Sequence, residues 1–249
     1  MYDWPEVQDR TDAFWRDVRA ALATEAPDAL ARPEDLAKPW TDPELLLGQT
    51  CGLPFVSGRC GDARIVARAS YGVEGTGEGT YSSALICRAD DAREFADFRG
   101  ARAAINELGS QSGCNALKDA FLQAGLADDG PLFSEAVMSG GHRTSANLIA
   151  EGKADIAAID AVSWALHGEW EPEAHARLRV LDWTRPMPAL PFITGATQAP
   201  MIPMLQSALK AASKPGAPTG IPVDIHPATA KDYEPIRELA GAVEPLALA

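Results

Sequence analysis

Apolar positions recur along this chain with two periods, and the change from one to the other marks out its elements. Over residues 7–24, Val7, Thr11, Phe14, Trp15, Val18 and Leu22 share one face at three- and four-residue spacing, and Pro5 stands where a first helical turn tolerates it. That pattern predicts a helix. Pro27 and Pro33 bound a break, after which Leu45, Leu46 and Leu47 lead as a short strand into a glycine-containing turn at 48–54. Residues 64–69 and 81–88 read as two further strands. The segment between them holds Gly72, Gly75, Gly77 and Gly79, but no lysine and no helical pattern follow. A P-loop and a dinucleotide fingerprint are therefore excluded.

From Asp90 the pattern becomes regular. A short helix at 92–95 precedes a strand at 101–105, a helix at 114–124, a strand at 136–138, and a helix at 145–151 that Gly152 stops. An apolar run over 154–160 ends in Asp160, a helix is expected at 161–166, and a strand at 178–183. Beyond Pro186, Pro188 and Pro191 the chain runs through Phe192, Ile193 and Thr194 to a helix expected at 199–211, and then a proline-rich tail before 230–240. Strands alternating with helices predict an α/β fold with right-handed crossovers in a parallel sheet, its ligands at the carboxyl ends of the strands.

Two loops at such ends carry the candidate chemistry. Gly109-Ser110-Gln111-Ser112-Gly113 and Ser139-Gly140-Gly141-His142 each follow a strand and open a helix. A helix start leaves about four N–H groups unpaired and carries roughly half a positive charge, while serine adds neutral donors and glycine permits close approach. Two such ends could hold an oxyanion. Ser112 and Ser145 could equally be ordinary helix caps, and Asp160 either caps the helix after it or meets a ligand. His142 reads as a ligand donor or a surface histidine, Tyr81 as a core aromatic or a cleft wall. The six tryptophans read mostly as packing, with Trp4 a possible cleft residue.

Composition narrows the partners. With 249 residues, 46% of them hydrophobic, the chain can bury a large core in one or two domains. A net charge of −13 argues against nucleic acid and anionic membranes, so an anion must be held by local donors against the overall field. No apolar run reaches the length of a membrane span, and residues 1–6 lack the basic and apolar regions of a signal peptide, so the chain as written is expected not to be exported. Cys51, Cys60, Cys87 and Cys114 form no CxxC pair and no zinc spacing. Cys51 and Cys60 could be bridged across a loop, but the four read rather as reduced buried thiols, with neither a metal nor a cofactor expected.

Four segments in order, Tyr81-Ser82-Ser83-Ala84-Leu85-Ile86, Gly109–Gly113, Gly141-His142-Arg143-Thr144-Ser145-Ala146 and the 152–160 run, resemble the phosphate/phosphite/phosphonate-binding proteins of ABC importers. The resemblance implies an α/β, two-lobed periplasmic binding protein fold of type 2 with two crossing hinge strands. Residues 1–84 plus 190–249 would form lobe 1 and 85–189 lobe 2. It further implies a small oxyanion held by Ser110, Ser112, Gly113 and His142, with Tyr81 beside a crossing strand, Gln49 and Thr50 from the first lobe, and Asp160 near the rest of the ligand. Gln111 stands where the family has a hydroxyl residue. A monomer partnered by a permease, a periplasmic location and no catalysis are the corresponding expectations. Two alternatives remain: a thiol enzyme with Cys114 as nucleophile and His142 as base, and a ligand-sensing module outside transport.

Overall fold

The computed structural model describes residues 2–35, 37–127 and 130–249. In chain order the helices are α1 (Gln8–Ala21), α2 (Gly52–Val56), α3 (Ala116–Gln123), α4 (His142–Ala150), α5 (Ala161–Trp170), α6 (Pro172–His175), α7 (Ile202–Ala212) and α8 (Glu234–Val243). The strands are β1 (Gly48–Gln49), β2 (Arg64–Ser70), β3 (Thr76–Gly77), β4 (Thr80–Tyr81), β5 (Ser83–Arg88), β6 (Arg102–Ile105), β7 (Glu135–Met138), β8 (Ile156–Asp160), β9 (Leu178–Trp183), β10 (Met187–Pro188), β11 (Pro191–Thr194) and β12 (Asp224–Pro227). Two compact units result. Unit 1 comprises the chain up to 72, 76–80 and 188–235; unit 2 comprises 73–75, 81–187 and 236–249.

Unit 1 is built on the sheet β1-β11-β2-β12, in which every neighbouring pair runs antiparallel. The parallel sheet expected from the pattern is therefore not found here, because β2, β11 and β12 come from distant parts of the chain rather than from consecutive crossovers. Helix α7 packs on β2 and on α1, burying Trp15 and Val18 of α1 with Leu205, Ala208 and Leu209 of α7. The 52–56 segment, read as a turn, is the short helix α2, and β12 lies inside the proline-rich tail that hid it. Its prolines cost little: Pro222 lies before the strand and Pro227 at its end, where a missing N–H is tolerated.

Unit 2 holds the sheet β7-β6-β8-β5-β9. The β6–β7 and β6–β8 pairs are parallel, as the βαβ pattern predicts, while β5 runs antiparallel to both β8 and β9. All five residues of β8 are buried, as a central strand covered on both faces requires. Alternation divides the core: Leu85, Cys87, Ala103, Ile105, Ile156 and Ala158 face Leu117 and Phe121 of α3, while Ala84, Ile86, Ala104, Ala157 and Ile159 face Ala146 and Ile149 of α4. Each large side chain so buried contributes about 1.5–3 kcal/mol.

The end of the chain also belongs to unit 2, whereas the sequence places it with the first lobe. Leu246 and Leu248 pack on the α3-side core. The Leu132 and Phe133 N–H groups donate to the carbonyls of Ala247 and Leu248 at 3.0 and 2.7 Å. The remaining unit boundaries fall at 72, 75, 80 and 187 rather than at 84 and 189.

Candidate functional site

Strand β6 delivers the first loop. After Ile105 the chain turns at Asn106, and Ser110, in extended backbone (φ −92°, ψ 131°), is the N-cap. Residues Gln111–Asn115 form a single π turn, with the Ala116 N–H donating to the Gln111 carbonyl, before α3 continues as α-helix. Such wide turns recur at functional sites because they re-aim first-turn side chains.

The cap is saturated on its acceptor side. Ser110 Oγ accepts from Asn106 Nδ2 at 2.9 Å and from Gly113 N at 3.1 Å. A hydroxyl has two acceptor positions and one proton, so only the Ser110 proton remains to be given, to a group outside this trio. Gly113 is required by the same contact, since a Cβ there would collide with the Asn106 carboxamide. Gln111 is fully buried, and neither its Nε2 nor its Oε1 has a partner among the described residues. Asn106 Oδ1 is likewise buried and unpaired. Unsatisfied buried amide atoms each cost about 1–3 kcal/mol.

The second loop lies alongside because the parallel β6–β7 ladder runs on into it. Ser139 N donates to Ile105 O at 2.8 Å, and Gly140 N to Asn106 O at 2.9 Å. Gly140 takes a positive φ of 81°, where other residues are strained, and the chain re-enters helix at His142. Helix α4 therefore starts a turn earlier than the pattern indicates. Gly141 is its N-cap, and neither Ser112 nor Ser145 caps a helix. Ser145 Oγ instead lies 2.6 Å from Ser139 Oγ, bracing the loop from within.

Ser112 Oγ and His142 Nε2 are 2.8 Å apart, joining the two loops directly. Desolvation pushes the His142 imidazole down to about 4, with a hydrogen bond to the Ala158 backbone opposing the shift. Near neutral pH the ring is uncharged.

The other predicted residues divide. Asp160, 2% exposed, caps α5: its Oδ1 accepts from Val162 N at 2.9 Å and Ser163 N at 3.1 Å. Tyr81 is buried where the chain enters β5. In unit 1, Gln49 Nε2 donates to Tyr71 Oη at 3.1 Å and to Leu190 O at 3.4 Å. Thr50 is fully buried, its hydroxyl donating to Cys51 O at 3.3 Å. Two residues were missed. Asn106 orders the cap, and its signal was an amide at a strand end seven residues before a glycine; Ser83 has a buried Oγ with no hydrogen-bond partner among the described residues and lies opposite Asp160 in the β5–β8 register.

All four cysteines are buried free thiols. Cys114 lies in the α3-side core, and burial pushes its thiol up. That is the reverse of what a nucleophile needs. Among the described residues no group of three or more His, Cys, Asp or Glu side chains could hold a metal.

Residues 47–220 match the model of the family described as ABC transporter, phosphonate, periplasmic substrate-binding protein, and the chain belongs to that family. No curated protein sequence matches it. Among solved structures, PhnD1 from Prochlorococcus marinus in complex with methylphosphonate is similar at 15% identity and a TM-score of 0.73, over 96% of this chain and 94% of that one. A binding-protein component of an ABC phosphonate transporter from Pseudomonas aeruginosa has 13% identity and a TM-score of 0.72, over 96% and 82%. A Xanthomonas citri protein bound to chloride ion has 17% identity and a TM-score of 0.66, over 97% and 95%. These likenesses establish a shared fold.

Proposed function

We propose that this protein is a solute-binding component of ABC import whose Ser110–Gly113 loop, with His142, holds a small phosphorus oxyanion: phosphate, phosphite or a phosphonate. The two compact units are taken as the two lobes of the family, and a permease as the partner. The observation that carries this reading is the Ser110 hydroxyl, its acceptor positions filled by Asn106 and Gly113 so that its proton is left to be donated to a ligand. The buried Gln111 amide, without partners among the described residues, stands next to it in the chain. Within unit 2, Tyr81 and Asp160 are proposed to complete the binding surface, Asp160 through the backbone it orders; Gln49 and Thr50 are proposed as ligand residues of unit 1. The uncharged His142 and the core position of Cys114 favour binding over catalysis.

Thermal melting against phosphate, phosphite, methylphosphonate, 2-aminoethylphosphonate, sulfate, amino acids and dicarboxylates tests the proposal. A true ligand at about a hundred times its Kd adds roughly 2.7 kcal/mol and raises the midpoint by a few degrees. Stabilisation by phosphorus oxyanions, with Cys114 slow to react with iodoacetamide in the native protein, is the expected result. Stabilisation by none of them overturns it.

A further inference from the structure

The polar atoms left open on the two loops are not all donors. Ser110 offers a proton. Ser112 and a neutral His142 bring two polar hydrogens between them, and their mutual bond uses one. The remaining ring hydrogen of His142 is held by the Ala158 backbone, so Ser112 donates to Nε2 and the pair presents a Ser112 lone pair, an acceptor. Gln111 offers its NH2 and its carbonyl oxygen, and Asn106 Oδ1 is an acceptor alone. A fully ionised oxyanion has only lone pairs and cannot satisfy acceptors such as Asn106 Oδ1 and Gln111 Oε1, which no described residue supplies with hydrogen.

Charge points the same way. Arg143, next to His142, is committed to Glu171 at 2.7 Å. On α3, Lys118 donates to the Val243 carbonyl and Asp119 is bound by Arg185. Glu107 is exposed, and Asp160 is engaged in its cap. Within these elements a dianion meets no uncommitted cation, and the chain as a whole carries −13.

Building on the proposed oxyanion site, we infer that it takes its ligand as the singly protonated monoanion, the ligand's own P–OH donating to the acceptors formed by Asn106 Oδ1 and Gln111 Oε1. Gln111 is then the residue that sets specificity, since it supplies both an acceptor for that proton and donors for the ionised oxygens. A dianion in solution must gain one proton to bind, and sulfate, which has none, is disfavoured.

Calorimetric titration of the full chain with methylphosphonate between about pH 6 and about pH 9, in two buffers of different ionisation enthalpy, tests this. Above the ligand's second ionisation, Kd is expected to rise about tenfold per pH unit with uptake of about one proton per ligand. Trifluoromethylphosphonate, whose second ionisation is more acidic, should move the inflection to lower pH. Affinity that is flat or rises with pH, or an inflection at one pH for both ligands, overturns the inference while leaving the oxyanion site standing; absence of binding by any phosphorus oxyanion overturns both. The Gln111→Met variant should reduce the preference for methylphosphonate over sulfate by about tenfold, equivalent to 1.4 kcal/mol. Equal loss for the two ligands would mean that Gln111 only shapes the loop, and would overturn its assigned role.

Discussion

Ser112 Oγ and His142 Nε2, thirty residues apart in the chain, stand 2.8 Å from one another and couple the two helix starts of unit 2. Each helps set the orientation of the other, so their effects on binding should not add. Ser112→Ala is expected to weaken oxyanion binding by roughly 1–3 kcal/mol and His142→Ala by a similar amount. The double variant should lose less than the sum, with a coupling of about 0.5–3 kcal/mol. Calorimetry on the four proteins of the cycle checks this, and strict additivity would mean that the hydrogen bond has no part in binding.

Gly113 answers to a different constraint. Its φ is not positive, so the need for glycine comes from the Asn106 carboxamide lying where a Cβ would go. Gly113→Ala should displace Asn106 from Ser110, cost about 1–3 kcal/mol in stability and abolish most of the ligand-induced rise in melting temperature. If the variant melts and binds like the parent, the cap has slack that the contact geometry denies.

Two buried imidazoles give the protein an acid limit. Desolvation is the main cause holding His142 at about 4, and in His167 desolvation followed by the neighbouring His175 has the same result. His167 is fully buried, with Nε2 3.1 Å from Asn147 Oδ1 and Nδ1 3.2 Å from His175 Nδ1. A depressed histidine binds its proton more readily in the unfolded chain, so stability is full above the unfolded value of 6.5 and falls as pH drops towards about 4. The loss is on the order of a few kcal/mol, and His167→Gln should flatten it. Urea unfolding near pH 7 and near pH 4.5 measures the difference; equal midpoints at the two pH values would contradict the assignment.

Asp119, on α3 and 2% exposed, is held by an Arg185 fork at 2.7 and 2.9 Å. Removing the guanidinium leaves a buried carboxylate with a lone amide contact from Gln123 at 3.3 Å. Arg185→Ala should destabilise unit 2 by roughly 1.5–3 kcal/mol, reduced by the partial exposure of the arginine, and Asp119→Asn in that background should recover part of it. Denaturant unfolding of the single and double variants decides the matter, and no recovery would mean that the ion pair is not the cause.

Most strands and helices of unit 2 were legible because each has the period its environment demands: β8 is apolar throughout since both its faces are covered, and β9 was found at its observed bounds, whereas the helix expected at 92–95 falls instead as a short turn at Phe95–Phe98 and α6 was not foreseen. The two Ser/Gly loops were legible for the same reason, as each is punctuation between a strand and a helix. Local pattern could not reveal which atoms the fold leaves unpaired. Ser110 becomes an obligate donor only because Asn106 reaches back four residues to it, and Ser112 leaves the role of cap only because the β6–β7 ladder brings His142 beside it. The antiparallel sheet of unit 1, the strand Asp224–Pro227 and the docking of the chain end on unit 2 were decided by pairing between distant segments. The residue order determined the elements and the polar groups available, because periodicity and capping are local. Tertiary contacts alone determined which of those groups were satisfied and which remained open, because a hydrogen bond between side chains depends on distance in space.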